Sequence, residues 1–274
     1  MKTFTSLISG LLLTFQALCA PQSTAQQKES LTFAVVPQQS AKKLAKLWTP
    51  LLTEISEKSG VKLIFTTAPN IPMFEQRLAK GEYDFAYMNP YHFVVYNKST
   101  GYQALAKQKN KRIQGIIVVK KNSGITELGQ LKDLTLAFPA PAAFAATLLP
   151  KADLKAQGIA VTSRYVSSHD SVYLSVARGL FPAGGGIMRT FNNAPQHVRD
   201  ELQILWKTPK YTPHAIANHP LVPHEVSQNV QQRLLTLHTS EQGAQLLKAI
   251  NFTQFETAQD SDWNDIRVLG IDSL

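Results

Sequence analysis

"DFAYMNPYHFVVY", Asp84 to Tyr96, begins as an apolar run and stops at Asn89-Pro90. The first five residues, "DFAYM", read as a buried strand. Asn89 carries a side chain suited to capping a helix. Pro90 is tolerated in a first helical turn, where its missing N–H costs nothing. The stretch therefore predicts a strand handing over directly to a helix. A helix start offers unpaired N–H donors and about half a positive charge. The amides of Tyr91 and His92 are expected to point outward there. Tyr87, Asn89, Tyr91 and His92 crowd one junction, which suits recognition of an anion.

The same grammar extends in both directions. "LTFAVV", from Leu31, reads as a strand, and Pro37 to Ser40 as a turn ending in a cap. Leu44, Leu47, Trp48, Leu51, Leu52 and Ile55 recur at helical spacing, with Pro50 a potential kink and Gly60 a stop. "VKLIFTT" is a second strand, and Met73 to Lys80 a short helix. Further on, "GIIVVKK", "LTLAF", "VTSRYV", "LFPAGGGIM" and "LQILWK" read as strands. Helices are expected over Ala142 to Lys151, after Ser167-Ser168, and near Pro223 to His238 and Ser240 to Ile250. Alternating strands and helices imply mostly parallel sheets covered by helices. Two such groups, joined near 113–120 and 203–209, predict an α/β protein of two lobes. The first lobe takes residues 26–116 with 206–274, the second 117–205, and two hinge strands cross between them.

Of 274 residues, 44% are hydrophobic and 17% charged, which suits a packed chain rather than a disordered one. Residues 1–25 are read as a cleaved secretory signal: Lys2, an apolar run from Leu7 to Leu18, and the small-x-small Ser23-Thr24-Ala25. That run is shorter than the ~20 residues a membrane span needs. Cys19, the single cysteine, lies inside it. Gln16 and Leu18 stand where a lipobox requires Leu and a small residue, which argues against a lipid anchor. A chain cleaved after Ala25 has no thiol for a disulfide or a cysteine–metal site. The net charge of +9 is compatible with an anionic ligand. Nucleic acid is discounted for a secreted chain. The dense run "KQKNKR", Lys107 to Arg112, is read as a solvated loop.

In an open α/β sheet, ligands bind beyond the carboxyl ends of the strands. Four junctions carry polar or helix-starting residues at that edge: Pro37 to Ser40, Asn89-Pro90, Pro139 to Ala142 and Ser167 to Asp170. Gln39, Ser40, Ser168, His169 and Asp170 therefore join the candidate ligand residues. Ser168, His169 and Asp170 are adjacent on one turn and cannot form a catalytic line. His214, His219 and His224 are five apart, a spacing that fits neither helical nor strand metal pairs. His214 is expected to face the cleft near the hinge. Gly184 to Gly186 lacks the spacing of a phosphate loop, and either a close approach of a ligand or tight strand packing accounts for it.

As a set, "FAVVP", "LAKGEYDFAYMNPYHFVVY", "LGQLKDLTLAFPAPAAFAATLLP" and "VSSHDSVYLSVARG" resemble the periplasmic phosphate/phosphite/phosphonate-binding proteins of ABC transporters. The resemblance covers about residues 31 to 240. It implies a type II periplasmic-binding fold whose lobes close on a small oxyanion, an ABC permease as partner, and no cofactor, metal or catalysis. The family's contact region falls on Tyr87 to Tyr91 and on Ser168 to Asp170. Its second-lobe Ser-Thr-Ser falls on Ala143, Phe144 and Ala145, so amides remain and hydroxyls do not. Arg189 stands near Gly184 to Thr190, where some members carry acids for an amino group, and suits an oxyanion. A monomeric periplasmic solute-binding protein is the expectation. A ligand sensor of the same fold, signalling to a membrane receptor, and a hydrolase are the alternatives.

Overall fold

The computed structural model describes Met1 and residues 29–271. The expected leader thus lies, apart from Met1, outside the described residues. Among the described residues, eleven strands form two sheets. The strands are β1 (Leu31–Val35), β2 (Leu63–Thr66), β3 (Phe85–Met88), β4 (Gln103–Gln108), β5 (Gly115–Lys120), β6 (Thr135–Phe138), β7 (Thr162–Tyr165), β8 (Ala183–Ile187), β9 (Leu202–Lys207), β10 (Ala215–Asn218) and β11 (Phe255–Thr257). The first sheet runs β11-β4-β10-β3-β1-β2 and the second β7-β6-β8-β5-β9.

Strands β2, β1 and β3 pair in parallel, as do β7, β6 and β8. Strand β10 runs antiparallel between β3 and β4, and β5 antiparallel between β8 and β9. In each sheet one returning strand is thus inserted among strands that point the other way; β11 adds a further antiparallel edge to the first sheet. The strands whose patterns stand out in the sequence are the parallel ones together with β5 and β9, which pair antiparallel. Strands β4, β10 and β11 were not anticipated. Their short, alanine-rich or polar sequences have little strand propensity of their own, and pairing with neighbours decides their conformation.

The chain crosses between the sheets at 109–114 and 208–214, where Ile113 and Tyr211 form an antiparallel bridge. Gly115, Ile116, Trp206 and Lys207, expected with the first lobe, pair within the second sheet.

Helices follow the strands at the predicted junctions. Helix α1 (Ala41–Ser59) runs on through Pro50 and ends at Gly60, whose φ of 71° is the left-handed conformation that glycine takes without strain. Helices α2 (Ile71–Ala79) and α3 (Pro90–Ser99) start on capping asparagines, Asn70 and Asn89. After β6 the chain makes a π-helical turn, Phe144–Leu148, before α4 (Leu149–Ala156). Helices α5 (His169–Ala177) and α6 (Met188–Asn192) follow β7 and β8.

The triple glycine is explained by packing. A Cβ at Gly184 would collide with Val172, at Gly185 with the Ala146 carbonyl and the Phe138 ring, and at Gly186 with Tyr173. A Cβ at Gly115 would strike the Ala145 carbonyl. The π-helical turn therefore lies directly on strands β5 and β8. Trp263, near the end of the described chain, is fully buried against Phe93 and donates its indole N–H to the Pro213 carbonyl at 2.9 Å. The largest apolar cluster contains the first sheet's core and also Ala140, Ala142 to Ala146 and Ile187. The two halves are therefore closed on each other.

Candidate functional site

Five strand ends converge where the halves meet. At the end of β1, Gln38 is buried and binds the other half through its carbonyl and its side-chain oxygen, while its backbone N–H donates to the Val36 carbonyl at 2.8 Å within its own half. Its carbonyl accepts the His169 N–H at 3.0 Å. Its side-chain N–H donates to Nε2 of His214 at 2.9 Å, and its side-chain oxygen accepts from the Arg189 guanidinium. The Arg189 Cζ lies 5.8 Å from the centre of the Tyr87 ring, within cation–π range. His214 stacks on Tyr87 at 4.9 Å with 17° between the planes. Nearby, Asn89 donates to the Ala142 carbonyl at 3.3 Å, and Lys43 to the Asn193 carbonyl at 2.8 Å.

The electrostatics follow from burial. His169 is buried, its Nδ1 is 3.0 Å from the Thr190 hydroxyl, and its Nε2 has no hydrogen-bond partner among the described residues. Burial, and then the Arg189 cation, push its pKa down to about 3. The same two causes, burial first, hold His214 well below the ordinary histidine range. Both rings are neutral at pH 7. Arg189 is the positive charge at the centre of the cleft.

Two cavities flank this centre. The inner one has a volume of about 10 Å³ and is lined by Gln38, Asn89, Ala143, Phe144, Ala145 and His169 among others. Phe144 is 1% exposed and meets Tyr211 edge-on at 5.7 Å. Its ring occupies most of the space between the helix starts. The outer cavity measures about 500 Å³. Tyr87, His214 and Phe252 form its buried wall, and Arg189, Lys111, Arg112 and Lys248 supply four cations. No described lining residue is acidic, and Arg112 is paired outside the lining with Asp265 at 2.9 Å.

The structure brings together Tyr87, Asn89, Ala143, Phe144, His169, Arg189 and His214 from the sequence reading. Others go elsewhere. His92 points into its own half, fully buried, with Nε2 2.9 Å from Glu75; its amide donates to the Asn89 side chain at 2.8 Å and so does not point outward. Tyr91 is packed in the first core. Both follow from helical geometry, which turns the second and third residues of α3 toward the sheet. Ser40 and Ser168 cap α1 and α5 through the amides of Lys43 and Ser171. Asp170 accepts from Gln39 at 3.4 Å and lies 3.9 Å from Lys43, so both residues bridge the halves away from the cavities. The His169 ring meets Thr190 rather than Asp170, so Ser168, His169 and Asp170 form no catalytic line.

Several lining residues escaped the sequence reading. Gln38 sat inside a turn already singled out. Lys111 and Arg112 belong to the basic run read as a solvated loop, and the charge density was the available signal. Lys248 and Phe252 carry none, because they arrive from a distant segment. Among the described residues, no group of three or more His, Cys, Asp or Glu side chains is placed to hold a metal ion. No described helix is long and apolar enough to cross a membrane.

Comparison with known proteins gives the family and the fold. A family model described as "ABC transporter, phosphonate, periplasmic substrate-binding protein" matches residues 33–263. The chain is 22% identical to the phosphonates-binding periplasmic protein of Escherichia coli K12, over 98% of this chain and 84% of that one. Its fold is similar to that of PhnD1 from Prochlorococcus marinus in complex with methylphosphonate, with a TM-score of 0.81 and 19% identity over 88% of this chain and 97% of that one. It is also similar to a binding protein component of an ABC phosphonate transporter from Pseudomonas aeruginosa, with a TM-score of 0.81 and 16% identity over 88% and 85%.

Proposed function

The chain belongs to the ABC-transporter family of periplasmic phosphonate substrate-binding proteins, and on that premise we propose that it captures its anion at Arg189, between the two sheets. As a member of the family it is the periplasmic substrate-binding component of an ABC transporter, and its partners are a small anionic ligand and a permease. The chain works as a monomer, with residues 1–25 removed on export. Segments 109–114 and 208–214 serve as the hinge between two lobes that close on the ligand.

The single observation behind the anion anchor is the guanidinium of Arg189. It faces Gln38 across the cleft and, among the described residues, has no carboxylate within salt-bridge distance and borders a cavity of about 500 Å³ whose lining contains no acid. The Gln38 side-chain oxygen holds the position that a ligand oxygen would take. A charged acceptor in its place forms the stronger, charge-assisted bond. Closure around it removes water and lowers the local dielectric, which strengthens the attraction further.

Thermal shift against phosphate, phosphite and a set of phosphonates tests this reading. A ligand at ~100 times its dissociation constant adds about 2.7 kcal/mol, on the order of 5–10 °C for a chain this size. Arg189→Ala is expected to remove most of that shift, measured against the variant's own ligand-free midpoint, which falls because the buried Gln38 oxygen loses its partner. Full retention of the shift in Arg189→Ala would refute the assignment.

A further inference from the structure

We infer that the ligand is a phosphonate carrying a ring-sized apolar body, seated in the outer cavity with its anionic head at Arg189 and its body against Tyr87 and Phe252. The inference rests on the reading of Arg189 as the anion anchor and adds the size and shape of what is anchored.

The inner cavity cannot take even the smallest member of the ligand class. Its volume of about 10 Å³ is near the lower limit for a single water. The stretch Ala142 to Ala146 brings no side-chain hydroxyl to it, and Phe144 fills the space instead. The backbone beneath cannot retreat, because the Ala145 and Ala146 carbonyls already lie on Gly115 and Gly185.

The outer cavity has the opposite character. About 500 Å³ is within the range that encloses organic ligands and is far more than a lone tetrahedral oxyanion fills. Water left around a small ion would screen it from the cations. Two fully or nearly buried rings, Tyr87 and Phe252, give the cavity an apolar wall that such an ion would leave unused. Lys111 and Lys248, both exposed, stand at the rim and attract the same sign of charge from solvent. An anionic head with a flat apolar body satisfies both the charged and the apolar parts of this lining. Cavity size and the apolar wall therefore favour an aromatic phosphonate over a bare ion at this position.

Isothermal titration calorimetry with phenylphosphonate, methylphosphonate and inorganic phosphate tests the inference. The proteins compared are the wild type, Arg189→Ala and the double variant Lys111→Ala/Lys248→Ala, whose sites are exposed and whose folding is therefore unaffected. Phenylphosphonate is expected to bind at least tenfold more tightly than methylphosphonate. The double variant is expected to weaken phenylphosphonate by about tenfold, and Arg189→Ala to abolish its binding. Equal or tighter binding of methylphosphonate or phosphate, lost in Arg189→Ala, would overturn the inference and leave the anion anchor standing. Phenylphosphonate bound equally well by the double variant would also overturn it. Binding of none of the three, or binding indifferent to Arg189, would overturn both.

Discussion

Two helix starts face each other across the cleft, and their own chain treats them in opposite ways. At Asn89-Pro90 the first turn is closed by side chains: Asn89 accepts the His92 N–H at 2.8 Å and donates to Ala142 at 3.3 Å. At Ala143-Phe144 no side chain caps the turn, and the helix opens in a π-helical turn pressed onto glycines. One start is satisfied by polar groups; the other is covered by an aromatic ring. In neither does an open row of amides face a roomy pocket. In the function proposed above, anion recognition in this chain accordingly rests on the side chain of Arg189 rather than on backbone donors. A helix start is an anion site only while nothing from its own chain occupies it.

The strongest way to break that comparison is to remove the ring. Phe144→Ala is expected to cost about 3–5 kcal/mol in urea unfolding, the usual price of a buried phenylalanine. In the folded fraction the enlarged inner cavity should admit methylphosphonate, which narrows the preference for phenylphosphonate. A loss below about 1 kcal/mol would show that Phe144 does not fill the site. Next in size is Gly185→Ala. Its methyl group meets backbone as well as the Phe138 ring, so a loss of about 1–3 kcal/mol is expected from overpacking. A neutral result would mean that the π-helical turn can lift off the sheet and reopen the pocket.

Asn89→Ala sharpens the other half of the comparison. It removes a cap and one link between the halves, and should cost about 1–2 kcal/mol by urea midpoint. The smallest effect concerns pH. His169 has a pKa of about 3 in the fold against an ordinary value of about 6.5. As pH falls below 6.5 the unfolded chain takes up the proton and the folded chain does not. This contribution to stability is therefore complete above about pH 7 and is lost progressively toward pH 3. His214 acts in the same direction. Between pH 7 and 5.5, His169→Gln should show a shallower decline in urea midpoint than the wild type. An equal decline would mean that His169 is protonated in the fold.

The parallel halves of both sheets and the helices after them were legible because their signals are local. Apolar runs such as "LTFAVV" and "DFAYM", caps such as Asn70, Asn89 and Ser168, and the stop at Gly60 each act within a few residues. Strand β10 was not legible. It is four residues long, "AIAN", and fully buried only because β3 and β4 flank it. The candidate site divides in the same way. Arg189, His169 and Tyr87 stand beside junctions that the sequence announces. Lys248 and Phe252 reach the same cavity from a helix end that nothing local distinguishes. His92 was misplaced because letters at a junction do not say which way a helix turns its first side chains.

By itself the sequence determined an α/β chain of two groups of units, the place of the junctions, and the absence of side-chain hydroxyls from Ala143 to Ala145. Periodicity, capping and side-chain chemistry are carried by neighbouring residues and survive without the fold. Only the tertiary structure decided that the inner pocket is filled and the outer one is open, basic and lined with rings. Cavity volume and the sum of charges around it depend on segments that meet in space from more than a hundred residues apart, and no local pattern encodes how closely they pack.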